Sequence, residues 1–205
     1  LPRLVAALKS GKPLTLVALG GASTEGKAAG GTEYSWPNQL GAALRRSFPD
    51  ATITVVNLGK PRQTAAMAVE RMETEVLSHK PSLVLWETGT VDAVRGVDLF
   101  EFRYTLESGI RALQPEIDVV LVDRQFSRWT LTMVDFEPYM RALKQSADFN
   151  DIPLFPRSAL MREWSESGEI DYSVDDKDKR RAMARKVYRC LGQAMAGFLT
   201  RDSAE

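Results

Sequence analysis

One histidine, one cysteine and no net charge, with 27 basic residues against 27 acidic ones, set the first limits on this 205-residue chain. A lone cysteine forms no internal disulfide, and one cysteine with one histidine makes no structural zinc site. Cys190 falls in a helical pattern and reads as a small packed residue rather than a reactive thiol. Without a basic excess, the chain lacks the means by which nucleic-acid binders neutralise phosphates. No apolar run approaches the ~18 residues of a membrane-spanning helix. The histidine is the tightest limit. A hydrolase with a serine or cysteine nucleophile and a histidine base must use His79, or it has no base. His79 stands in Ser78-His79-Lys80-Pro81, ahead of an apolar run. That context places it at the amino end of a strand, as a surface histidine near a helix C-terminus.

What is present suits a folded enzyme-sized domain. An apolar fraction of 44% with 26% charged residues excludes a disordered chain. The length suits a single domain over residues 1–205. Short apolar runs alternate with amphipathic stretches, the pattern of a parallel sheet covered on both faces. Strands are expected at 14–19 (LTLVAL), 52–56, 83–86, 119–122 and 152–155. Helices are expected at 36–48, 64–77, 99–113, 136–149, 159–164 and 177–199. Pro37 belongs in a first turn, and Asp175-Asp176-Lys177-Asp178 reads as the start of the closing helix. The expected fold is α/β: a three-layer α/β/α sandwich around a five-stranded parallel sheet, with right-handed crossovers.

In such folds ligands bind at the carboxyl ends of the strands. That rule selects the loops 20–31, 57–64, 87–94, 123–134 and 170–178. The first reads Gly20-Gly21-Ala22-Ser23-Thr24-Glu25-Gly26, the second Asn57-Leu58-Gly59-Lys60-Pro61-Arg62, the third Gly89-Thr90-Val91-Asp92, and the last Asp171-Tyr172-Ser173-Val174. Taken in this order, the blocks resemble those of the SGNH (GDSL) hydrolases, serine esterases and lipases of flavodoxin-like architecture, over nearly the whole chain. The resemblance implies that Ala22 stands at the nucleophile's position, Arg62 and Val91 at those of the oxyanion-hole glycine and asparagine, and Val174 at that of the histidine. Asp171 keeps the acid. By this register the frame is retained and the reacting groups are replaced. Alanine has no nucleophilic oxygen, and valine accepts no proton. Loss of one oxyanion donor alone costs on the order of 10²–10³ in rate. The implied function is that of an inactive relative, a pseudoenzyme serving as a binding or partner module. Its ligand would be a small molecule or an acylated or anionic carbohydrate. The resemblance favours a periplasmic or secreted setting, with any signal or anchor missing from a chain that begins at Leu1. No cofactor is expected.

Two other readings compete. Ser23 is a fallback nucleophile for an active ester hydrolase, though its ordinary role is to cap or hydrogen-bond within its loop. The acids Glu25, Glu87, Asp92, Asp123 and Asp171 lie near strand ends and could supply a carboxylate pair of the glycosidase kind. Against that, Glu87 at a strand exit reads equally as the partner of an arginine. No ligand spacing marks a metal site, and the glycines fit no phosphate-loop pattern. Lys60, Arg62, Asp92, Arg124, Gln125 and Trp129 border the replaced site and form the candidate binding set, suited to an anionic ligand. The alternative for Arg62 is that it fills the pocket and pairs with Asp92 or Asp171. Lys179-Arg180-Arg181 reads as a solvated face.

Overall fold

A computed structural model of the chain describes residues 1–127 and 133–201. Five strands form one parallel sheet: β1 (Leu14–Gly20), β2 (Ile53–Gly59), β3 (Leu83–Glu87), β4 (Asp118–Val122) and β5 (Leu154–Phe155). Their order is β2-β1-β3-β4-β5. Among the described residues the α-helices are α1 (Pro2–Ser10), α2 (Ala22–Glu25), α3 (Trp36–Ser47), α4 (Ala65–Val69), α5 (Thr90–Arg95), α6 (Leu99–Leu113), α7 (Glu137–Phe149), α8 (Arg157–Glu166) and α9 (Lys177–Leu199).

The strands are apolar throughout because both faces are covered, and successive side chains enter opposite cores. Leu14, Leu16 and Ala18 of β1, with Leu83, Leu85, Val120 and Val122, pack against α1, α3, α8 and α9. Val17, Leu19, Val84, Trp86, Val119 and Leu121 pack against α4, α5, α6 and α7. This is the expected three-layer sandwich. The chain leaves β1 towards β2 by way of α3, then returns across β1 and proceeds through β3, β4 and β5 by helices on the other face. A single crossover hand requires that change of face when the direction reverses. The reversal lies between β1 and β3, so the crevice available to a ligand opens at their carboxyl ends.

Three local outcomes differ from expectation. The segment 64–77 is not one helix. After α4 the chain makes a wide π-type turn over Met72–Val76 and a 3₁₀ turn over Leu77–His79. The break coincides with Arg71, whose guanidinium reaches the carbonyl of Leu58, Oε1 of Gln63 (2.6 Å) and Glu75 (2.7 Å). The fifth strand is only Leu154–Phe155, since Pro153 has no N–H to contribute. The helices α1, α2 and α5 were not anticipated. Among the described residues, no helix is long and apolar enough to cross a membrane. His79 is exposed beside the amino end of β3, as its sequence context requires.

Candidate functional site

The switch point between β1 and β3 brings two chain segments together. β1 ends at Gly20, and the chain turns at once into α2, which carries Ala22, Ser23 and Thr24. β3 ends at Glu87. The turn is tight enough that a side chain at Gly20 would collide with Thr24 Oγ1 and come within 2.9 Å of Glu87. On the β2 side, Asn57 ties the same loop down. Its Nδ2 donates to the Thr24 carbonyl (2.6 Å) and Ser35 Oγ (3.0 Å), while its Oδ1 accepts from Gly59 N (2.9 Å). Gly59 has to lack a Cβ, because one would press on the backbone of Thr24 and Glu25.

Below the crevice lies a buried ionic network. Ser23 Oγ is 2.9 Å from both oxygens of Glu87, and Thr24 Oγ1 donates to the same carboxylate. Arg157, the first residue of α8, is 1% exposed and meets Glu87, 7% exposed, at 3.2 Å. Its Nη1 donates to Ser23 Oγ (3.0 Å) and its Nη2 to Gln125 Oε1 (3.0 Å). A carboxylate this deep requires such compensation, since an unpaired buried charge costs several kcal/mol. The arginine expected to partner Glu87 is therefore Arg157. Nothing at sequence level distinguishes it, 134 residues away from Ser23.

Above the network is a cavity of about 520 Å³. Ala22, Ser23, Arg62, Val91 and Gln125 line it, together with Arg95, Phe136 and Glu87. Three of the five family positions thus share one space. Arg62 adopts φ 61°, the left-handed region that glycine enters freely and an L side chain enters at a cost. Its carbonyl accepts from Arg95 (3.2 Å). Among the described residues Arg62 makes no ion pair, so the expected pairing with Asp92 or Asp171 is not formed. Asp92 is 1% exposed and accepts from Ala65 N (2.9 Å), starting α4, while its Oδ2 has no hydrogen-bond partner among the described residues. Burial pushes its carboxyl above the ordinary aspartate range.

The remaining candidates are dispersed. Lys60 is held by Glu75 at 3.0 Å, and the hydrogen bonds from Arg71 and Lys60 lower the Glu75 carboxyl to about 2. Arg124 is buried, lies 4.7 Å from the centroid of the Phe136 ring and lines a separate cavity with Asp123 and Arg162. Lys60 and Arg124 thus do not gather with Arg62 around one space. Asp123 accepts from Ser158 N and Oγ (both 2.7 Å), and burial raises its pKa. Asp171 is exposed, accepts from Ser173, and borders a cavity that adjoins the first through Gln125 and Ser127. Val174 is half-buried, and neither it nor Asp171 lines the Ala22 cavity. Glu25 is half-buried in α2 and also lies outside that lining. Trp129 falls outside the described residues. Among the described residues no cluster of three or more His, Cys, Asp or Glu side chains could hold a metal ion. The missed cavity residue Arg95 belongs to α5, too short a helix to leave a periodic signal.

A family model for the Non-GDSL lipase-like family matches residues 1–205. No curated protein matches significantly. Among solved structures, the chain is similar to a lipolytic protein of the G-D-S-L family from Desulfitobacterium hafniense, with 21% identity over 89% of this chain and 97% of that one, and a TM-score of 0.65. A two-domain esterase active on acetylated mannans, co-crystallised with mannopentaose, aligns at 21% identity over all of this chain and 53% of its own, with a TM-score of 0.77. An acetylxylan esterase from Geobacillus stearothermophilus aligns at 18% identity over 87% and 94% of the two chains, with a TM-score of 0.67. At these identities the likeness is one of fold.

Proposed function

The chain belongs to the Non-GDSL lipase-like family, and from that premise we propose that it is a non-catalytic member of the SGNH hydrolase fold that holds an acylated or anionic carbohydrate in the Ala22 cavity without cleaving it. The observation that carries this reading is the cavity's lining. The Ala22 side chain offers no nucleophile, Val91 offers no side-chain amide, and Arg62 with Arg95 presents two guanidinium groups. The lone histidine is remote, at the amino end of β3. Paired arginines suit a carboxylate or an ester carbonyl as hydrogen-bond donors and attract negative charge. The Glu87 charge is already met by Arg157. Solved neighbours that act on acetylated mannan and on acetylxylan support carbohydrate as the ligand class. A binding module of this kind would act beside an active enzyme or a partner protein.

One observation favours the second reading, an active ester hydrolase. Ser23 Oγ lies 2.9 Å from a carboxylate that could accept its proton. Two features weigh against it. Arg157 already pairs with that carboxylate, and it also donates to the serine oxygen that would attack. The decisive assay supplies p-nitrophenyl acetate, p-nitrophenyl butyrate and acetylated xylo-oligosaccharide, with an organophosphonate probe in parallel. The binding reading expects calorimetric heat with the oligosaccharide, no acetate release and no adduct. Turnover abolished by Ser23→Ala, or a phosphonyl adduct on Ser23, would overturn it.

A further inference from the structure

A second cavity, of about 400 Å³, opens beside the first and shares Gln125 with it. Its cations come from two distant stretches of chain. Lys27 is contributed by the turn after α2, and Lys177, Arg180 and Arg181 by the first turns of α9. Among the described residues, no carboxylate lines this space. Arg181 touches exposed Asp178 at 3.8 Å, whereas Lys27, Lys177 and Arg180 make no ion pair among the described residues. Four cations held around one concavity repel one another, and a bound anion relieves that repulsion. Lys179, Arg180 and Arg181 are exposed, as expected of a solvated face, and Arg180 and Arg181 also border this concavity.

The rest of the lining indicates the kind of anion. Tyr172, Tyr188, Met183, Ala184 and Val187 give the cavity an apolar floor, and Gln125 adds a polar group at its join with the Ala22 cavity. Tyr188 is buried, and the Tyr172 hydroxyl, shielded from solvent, has no hydrogen-bond partner among the described residues. Burial pushes the Tyr172 hydroxyl up to about 12, so it remains a donor at neutral pH. A small inorganic anion would leave this floor unused. A sugar ring fits it, because its C–H faces are apolar, its hydroxyls pair with amide and phenol groups, and a carboxylate on the ring answers the cations.

We propose that this second cavity binds the uronic-acid residues of an acidic oligosaccharide whose chain passes Gln125 towards the Ala22 cavity. The proposal names the charge class of the ligand and rests on the binding role given above. The two fail separately, because ester turnover reports on Ser23 and the Ala22 cavity, while the charge selectivity described next reports on the cationic cavity.

The test is calorimetric titration of the full chain with a galacturonic acid tetramer, its fully methyl-esterified neutral counterpart and inorganic phosphate. The acidic tetramer should bind at least ~10-fold more tightly than the neutral one, and its affinity should fall as salt rises. The double variant Lys177→Gln with Arg180→Gln should weaken the acidic tetramer by about 10-fold or more. Both residues are exposed, so the fold should survive, and circular dichroism checks that it does. Lys12→Gln, an exposed lysine at the amino end of β1, should change affinity by less than about twofold, the scale of a distant screened charge. The proposal is overturned if the neutral tetramer binds as well as the acidic one, if the double variant binds normally, if phosphate alone matches the tetramer, or if the acidic tetramer gives no heat.

Discussion

Removing the guanidinium of Arg157 would leave the Glu87 carboxylate buried with only the hydroxyls of Ser23 and Thr24 to meet it. Breaking a buried pair from one side costs about 3–5 kcal/mol, more than the pair itself contributes, because an uncompensated charge remains. Arg157→Met should therefore lower the unfolding free energy by roughly that amount. Adding Glu87→Gln should restore a large part of it, since a neutral amide still accepts from Ser23 and Thr24. Urea unfolding of the two variants measures this, and a single variant as stable as the wild type would show that the pair is not compensating a charge. Residues of this site were unequally legible in the sequence. The resemblance puts Ala22, Arg62 and Val91 at family site positions, the three line one cavity, and the φ of 61° at Arg62 fits a position where the resemblance implies glycine. Glu87 could be recognised as an acid in need of an arginine. Arg157 could not, because a buried arginine at the start of a helix has the same local sequence as an exposed one.

At the scale of elements, the long periodic segments were legible and the short ones were not. The helices α6 and α9 begin and end where their apolar spacing places them, and Asp98 and Asp176 cap their first turns. The helices α2 and α5, of four and six residues, span too few turns to show a period, yet they carry Ala22, Ser23, Val91 and Arg95. The break after α4 was hidden for a different reason. Ala65, Ala68, Met72 and Val76 keep a helical spacing and all are buried, so only the inward bonds of Arg71 reveal it. The position of α2 depends on its close approach to the end of β2. A Cβ at Gly59 would lie 2.7 Å from the carbonyl carbon of Thr24 and press on the amide of Glu25. Both are backbone atoms, so the clash cannot be relieved by a rotamer change. Gly59→Ala should displace α2 and cost about 1–3 kcal/mol, the usual penalty of overpacking. The check is thermal unfolding alongside an amide-exchange measurement of Ser23 and Thr24. Unchanged stability with unchanged protection would mean that β2 and α2 are not in contact as described.

Over the whole molecule, a net charge of zero conceals separation. Cations line the two spaces joined at Gln125, while several acids are buried or already paired. The composition could not show this, since the sites of charge depend on which loops the sheet order brings together. Separation of this kind makes stability respond to pH in two opposed ways. The Glu75 carboxyl is lowered to about 2 by Arg71 and Lys60. Its contribution is present above the ordinary glutamate value and is lost as pH falls towards about 2. Asp92 behaves in the reverse sense. Burial raises its pKa in the folded chain, so the fold binds that proton more tightly than the unfolded chain does. Its contribution is full below the ordinary aspartate value of about 3.9 and is lost as pH rises through the raised value. Asp92→Asn removes this titration. The new amide can keep its oxygen towards Ala65 N, from which Oδ1 accepts, and place its nitrogen at the Oδ2 position, which has no hydrogen-bond partner among the described residues. The variant should therefore gain stability relative to the wild type as pH rises from about 4 to about 8, with the Glu75 contribution cancelling because both proteins share it. Urea midpoints across that range measure the difference. Parallel curves for the two proteins would show that Asp92 is as readily ionised in the fold as outside it, and a gap that closes with rising pH would reverse the sign argued here.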